Sequence, residues 1–347
     1  MWTSFPMADT TLSQTVETLA KAVPASDDSS TILQTVQGQI IVSYYCLDTG
    51  WREQGMNLCG AALSLGSWAG ISASDTNSSS TSLERNKAFW ALFLLHNLWV
   101  ASFGVSSSLP YDPRDVSVPW PCSGRLASGS QFPIAEFLDA KSDVSTDSAT
   151  LFLQASILLQ QVVTFCMERQ GKAILELMMA ELISETGDKS DADRFAKLQT
   201  RLRSFVGHLP PLVSTEPIAD EKYQVALITR CLLNASVLRL HAFGHSGSGT
   251  APAVDSAARA ASNRFVSDIR HAQKRRFEWV DPVLGPLLST ACFFNSSNAS
   301  RVPEAVSNIR TLASAMSICA GHSTLIQQCW DATISSLHAQ GLSSALF

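Results

Sequence analysis

The stretch Thr81-Ser-Leu-Glu-Arg-Asn-Lys-Ala-Phe-Trp90-Ala-Leu-Phe-Leu-Leu-His-Asn-Leu-Trp99-Val-Ala-Ser-Phe103 contains neither glycine nor proline. Thr81 and Glu84 have the spacing of a capping box, which marks a helix start. After Lys87 the apolar residues surround the helix instead of forming one stripe, so the helix is expected to be sandwiched between neighbours. Ala88 to Val105 is the most lipid-like run in the chain, but His96 and Asn97 stand in its middle, where a bilayer tolerates polar groups poorly. It therefore reads as a buried helix, and no membrane partner is expected.

The pattern repeats on either side. Ile32, Val36, Ile40, Tyr44 and Leu47 step by four and three behind capping candidates Asp28 to Ser30, and Leu58, Ala61, Ala62, Leu65 and Ala69 do the same. Further helical segments are expected at about Asp147–Ser184, from Phe195 to Leu209, Ala219–Phe243, Pro252–Trp279, Val283–Phe294, Pro303–Ala320 and Ser323–Ala339. Pro110, Pro113, Pro119 and Pro121, with several glycines, forbid regular helix across about 106–132, which reads as a long extended connection. No Asn-Gly or Asp-Gly hairpin signal separates alternating strands. The expected fold is all-α, a single large helical domain of about ten helices. Residues 1–30 form a short N-terminal remnant, 31–245 the main body, and 246–347 C-terminal helices packing on that body.

Composition narrows the function. The 347 residues carry 25 basic and 30 acidic side chains, a formal charge of −5, and only 16% are charged. A nucleic-acid-binding domain normally shows a basic excess on one face, so this chain is not expected to grip DNA by itself. The N-terminus lacks the basic start and apolar block of a signal peptide. The eight cysteines (46, 59, 122, 166, 231, 292, 319 and 329) are scattered and read as reduced, mostly buried thiols of the cytosol or nucleus. The sequons at Asn77, Asn234, Asn295 and Asn298 are read as chance matches in a serine-rich chain.

Each candidate for chemistry has a plainer reading. Cys319, His322 and Cys329 copy the spacing of one zinc-cluster half, yet no second half and no basic residues accompany them, so buried packing is preferred. His241 and His245 share a helical face, but the helix ends at Gly244. Gly244-His-Ser246 and Gly321-His-Ser323 resemble the start of a nucleophile elbow, yet lack its second glycine and a preceding strand. Asp27-Asp28 lacks the third aspartate of a diphosphate-binding motif, and Asp188 to Asp193 read as surface. Arg270 to Arg276 is the one basic cluster, read as a solvated helix face with Phe265, Ile269 and Ala272 inward. No catalytic or metal site is expected, and no cofactor. Trp90, Phe93, His96 and Trp99 share one helix and read as core, with an effector cavity between helices as the sharper alternative.

Three segments, Thr35-Val-Gln-Gly-Gln-Ile-Ile-Val-Ser-Tyr-Tyr45, Leu58-Cys-Gly-Ala-Ala-Leu-Ser-Leu-Gly66 and Phe89-Trp-Ala-Leu-Phe93, lead through Gly104 to Asp115-Val-Ser-Val-Pro-Trp-Pro121. In this order they resemble the fungal-specific regulatory domain, or middle homology region, of the binuclear zinc-cluster transcription factors. Its signature positions fall here on Gln37, Tyr44, Gly60, Phe89, Trp90, Gly104, Asp115, Pro119 and Pro121. Weaker similarity continues through His208-Leu-Pro-Pro211 and Leu232 to His241. His96-Asn97 stands where the family has Asp-Arg, Ser64 where it has a helical arginine, and Val105-Ser106 where it has Arg-Pro.

The resemblance implies a nuclear, non-catalytic regulator of RNA polymerase II genes, otherwise cytoplasmic, that pairs with itself or with related regulators. It implies DNA contact only through an N-terminal six-cysteine zinc module, which does not precede residue 31. Zinc is expected only with that module. The alternative is an orphan interaction module acting as a competitor or co-regulator of related factors.

Overall fold

The computed structural model describes residues 29–71, 80–105, 112–121, 132–141, 147–178, 188–209, 219–244, 256–275 and 280–342, with isolated positions at 14, 18, 109, 144, 145 and 212. Among them are eleven α-helices, one 3-10 turn and no strand. The chain falls into two compact units, Met1–Trp99 with Ser107–Leu153, and Val100–Ser106 with Gln154–Phe347.

The first unit is built on α1 (Ser29–Thr49), α2 (Arg52–Trp68) and most of α3 (Ser80–Phe103). Ile32, Val36, Ile40 and Leu47 are buried as their spacing requires, while Tyr44 is half-buried. At the end of α2, Gly70 takes φ +66° and its N–H bonds the Ser67 carbonyl, while Ile71 N–H reaches back to Gly66. This left-handed cap satisfies the last carbonyls of the helix and suits glycine. Arg85 of α3 adds a cation there, its Nη2 donating to the Ala69 and Gly70 carbonyls at 3.2 and 3.3 Å.

The proline-rich connection is partly ordered as expected. Pro113–Asp115 forms the 3-10 turn, capped by Asp112, whose carboxylate accepts from Arg114 N–H. Val116 to Pro121 then runs without helix, burying Val116 and Val118. One element was not foreseen. Pro133–Leu138 is a short helix, α4, that buries Ile134 and Phe137 completely. Arg114 and Asp139 pair at 3.0 Å and tie its end to the 3-10 turn.

The second unit contains the rest of α5 (Ser148–Met178), α6 (Asp188–His208), α7 (Asp220–Gly244), α8 (Ser256–Ala272), α9 (Leu284–Ser297), α10 (Ala305–Ala320) and α11 (Thr324–Ala339). α7 packs against α6, α8 and α9, and buries almost every residue from Leu227 to Leu240. α9, α10 and α11 pack pairwise beside it. Ser148–Lys172 and Asp220–Ala242 are long and apolar enough to cross a membrane, but 78% and 72% of these windows are buried within the fold. α3, read above as the most lipid-like run, falls below that threshold.

Candidate functional site

Three of the family-signature residues, Phe89, Trp90 and Pro119, come together in the first unit on α3. Phe89, Trp90 and Phe93 form one aromatic group, with centroids 5.0 to 5.9 Å apart. Trp90 also stacks on Trp120 at 4.8 Å, and its Nε1–H donates to the Pro119 carbonyl at 2.7 Å. Trp120 in turn meets Phe137 of α4 edge-on at 6.2 Å. The extended segment is therefore held on α3 through one indole, by ring contact and by a hydrogen bond to a proline carbonyl. Asp115 is exposed, and Pro119 and Pro121 are half-buried.

Trp99 faces elsewhere. Nine residues at about 100° each place it half a turn from Trp90. Its Nε1–H donates to Ser43 Oγ of α1 at 3.0 Å, and Ser43 donates onward to the Gly55 carbonyl of α2 at 2.8 Å. A Cβ on Gly55 would lie 2.2 Å from the indole Cζ2, so only glycine admits the ring. Between these poles His96 and Asn97 are both buried. Burial pushes the His96 imidazole down to about 4, against a smaller opposing effect of its hydrogen bond with Asn97. The family's Asp-Arg pair is thus replaced by an uncharged pair. Trp90, Phe93, His96 and Trp99 wind around α3, and the two indoles meet protein groups on opposite sides of it.

The remaining signature residues serve the backbone or the surface. Gly104 ends α3 at φ +58°, its N–H bonded to the Val100 carbonyl. Gln37 is half-buried on α1. Gly60 is half-buried on α2, and a Cβ added there would have nothing within 4 Å.

Sequence reasoning missed the polar seam of the second unit. Asn295 of α9 donates to the Ala291 carbonyl and to Ser262 Oγ of α8, at 2.8 and 2.9 Å. Asn308 of α10 donates to Asn295 Oδ1 and Asn263 Oδ1, at 3.2 and 3.1 Å. The seam reaches the surface at the Arg259–Glu304 pair, 2.8 Å from Nε. Nearby, Arg230 of α7 pairs with Asp268 of α8 at 2.9 Å. Burial raises the Asp268 pKa, partly opposed by Arg230.

The other candidates are dispersed. Among the described residues no three His, Cys, Asp or Glu side chains are grouped to hold a metal. Cys319 lies near the end of α10 and His322 is exposed, whereas the Cys329 thiol lies against Gly285 and Ser289 of α9. Gly321 caps α10, and Ser323 caps α11 by accepting from Ile326 N–H. His241 is buried edge-on to Phe195; His245 and Ser246, Asp27 and Asp28, Arg276 and Cys122 lie outside the described residues. Of the basic cluster, Arg275 lies 4.0 Å over the Tyr223 ring and pairs with Asp220, while Phe265, Ile269 and Ala272 face inward. The seven described cysteines are free; burial pushes the Cys46 thiol up to about 11 and Cys59 and Cys292 to about 12. The sequon residues Asn234 and Asn295 are buried, which closes them to modification in the folded chain.

Fold and junction together define an all-α domain in which aromatic rings clamp an extended segment onto a central helix. The chain belongs to the family of the fungal specific transcription factor domain, whose model matches residues 7–203, more than half of its length. It is therefore a domain of the transcription-regulatory class. Comparison with curated proteins and with solved structures gave no match.

Proposed function

We propose that this chain is the regulatory, non-catalytic part of a fungal zinc-cluster-type transcription factor. It acts in the nucleus on RNA polymerase II transcription, and sequence-specific DNA contact is made outside these 347 residues. The observation that carries this reading is the ordered set of α1, α2, α3 and the extended segment, whose motifs lie within the family match, with the extended segment held on α3 at Trp90. The acidic balance of the chain supports it, because phosphate contacts need a basic surface.

The test is a mobility-shift titration of the purified chain against random-sequence and fungal promoter DNA, with zinc measured on the same preparation. The expected result is no shift at physiological salt and no stoichiometric zinc. Tight, sequence-selective binding by this chain would overturn the reading. A second reading, an interaction module that competes with related regulators, is favoured by one feature, the exposed and uncharged face of α2.

A further inference from the structure

We propose that α7 and α8 together carry an anion site, in which Arg264 holds the carboxylate or phosphate group of a small ligand beside the Arg230–Asp268 pair. The site lies wholly within the second unit, and the proposal stands whether or not the transcriptional reading holds.

Two rungs join these helices. Arg230 Nε donates to Asp268 Oδ2 at 2.9 Å, and Arg264 Nε donates to Asn234 Oδ1 at 3.4 Å. Residues 230 and 234 are one turn apart on α7, and 264 and 268 are one turn apart on α8, so the four side chains form a closed set. It contains two guanidinium groups and one carboxylate. That carboxylate is engaged by Arg230, whereas the oxygen that Arg264 reaches belongs to a neutral amide. Asn234 is buried, the Arg230 and Asp268 side chains are 17% and 9% exposed, and Arg264 is half-buried. Burial lowers the Arg264 pKa, and the neighbouring Arg230 charge lowers it further, against the pull of Asp268. One positive charge is therefore in excess in a poorly hydrated place.

The other arginines of this surface have their charge met. Arg259 pairs with Glu304, and Arg275 pairs with Asp220 while lying over the Tyr223 ring. Arg270 is exposed to water. Arg264 has neither a paired carboxylate among the described residues nor full contact with solvent. An uncompensated charge so placed costs stability, and ionisable groups held at such a cost cluster at functional sites. The ligand chemistry follows from the donors. A guanidinium offers five N–H groups in a planar fork and no acceptor. Its Nε–H is used on Asn234, which leaves the Nη groups for an acceptor-only oxyanion, and both carboxylate and phosphate match that geometry. His271 stands two turns from Arg264 on the same side of α8, and its charge, when protonated, adds to the attraction. A bound anion gives each guanidinium its own negative partner and ties α7 to α8.

Thermal melts of the full chain in phosphate and, separately, in acetate test this, at constant ionic strength and near-neutral pH, from about 0.1 to about 50 mM. The expected result is a saturable rise in melting temperature with at least one of the two anions, at an apparent Kd on the order of 1 mM. Arg264→Gln should weaken that binding at least about tenfold, yet melt at or above the wild type without anion, because it removes a charge and not an ion pair. Arg264→Lys keeps the charge but not the fork, and should bind with intermediate strength. Arg270→Gln, on the exposed side of the same helix, should bind as the wild type does. A response to phosphate alone identifies a phosphate group as the ligand, and a response to acetate identifies a carboxylate. No saturable response to either anion would overturn the proposal, as would a response that Arg264→Gln leaves unchanged. So would an Arg264→Gln chain that melts several degrees lower without anion, because Arg264 would then be a structural partner of Asn234.

Discussion

Trp99 and Gly55 are fitted to one another: the indole occupies the space that any larger residue at position 55 would need, with Cζ2 at 2.2 Å and Cη2 at 2.5 Å from a would-be Cβ. The same indole reaches Ser43, so one contact joins α1, α2 and α3. It sits half a turn of α3 from the clamp on the extended segment.

Gly55→Ala is therefore expected to destabilise by about 1–3 kcal/mol, the usual cost of overpacking, although alanine favours helix. Gly60→Ala, on the same helix with open space, should be neutral or stabilising by up to about 1 kcal/mol. Urea unfolding of the two variants separates packing from propensity, because propensity alone predicts the same sign for both.

Trp90→Phe keeps a ring against Trp120 but removes the donor to the Pro119 carbonyl. Loss of that bond should cost about 1–3 kcal/mol, since the carbonyl is left without its partner. Trp90→Ala should cost about 3–5 kcal/mol and release the extended segment. Protease sensitivity between Val116 and Pro121 checks the release, and should rise more for Ala than for Phe.

His96 is buried neutral, with a folded pKa of about 4 against an unfolded value of 6.5. Between these values the unfolded chain binds the proton and the folded chain does not. Its contribution to stability is therefore complete above pH 6.5, declines as pH falls, and is lost below about 4. The full span is on the order of 3 kcal/mol. His96→Gln should flatten the decline between pH 6.5 and 4 in denaturant titrations, while an unchanged slope would show that other groups carry it.

Arg230 and Asp268 form a mostly buried pair, with side chains 17% and 9% exposed. Arg230→Ala strands the carboxylate and should cost about 3 kcal/mol. The double variant Arg230→Met/Asp268→Leu should recover most of that loss. Equal damage in single and double variants would mean that the shape of the site, and not its charge, is what matters.

Much of this architecture is legible in the sequence because helical periodicity survives in long segments. Ile32, Val36, Ile40 and Leu47, and Phe265, Ile269 and Ala272, are buried where their spacing puts them. α4 escaped because its six residues give less than two turns of pattern, and its only local signal is Pro133 at the first helical position. The partners of the two indoles escaped for another reason. Pro119 lies 29 residues from Trp90 and Ser43 lies 56 from Trp99, and periodicity says which side of a helix is buried but not what covers it. The polar seam around Asn295 was hidden because Asn and Ser on a helix read as surface, and here they are satisfied by one another across three helices.

The most direct test of the regulatory assignment is to fuse the chain to a heterologous DNA-binding module and measure a reporter in a fungal host. The account predicts output distinct from the module alone, raised or lowered, with the difference lost in a Gly55→Ala or Trp90→Ala fusion of equal abundance. Output identical to the module alone, from a fusion that is expressed and folded, would contradict it.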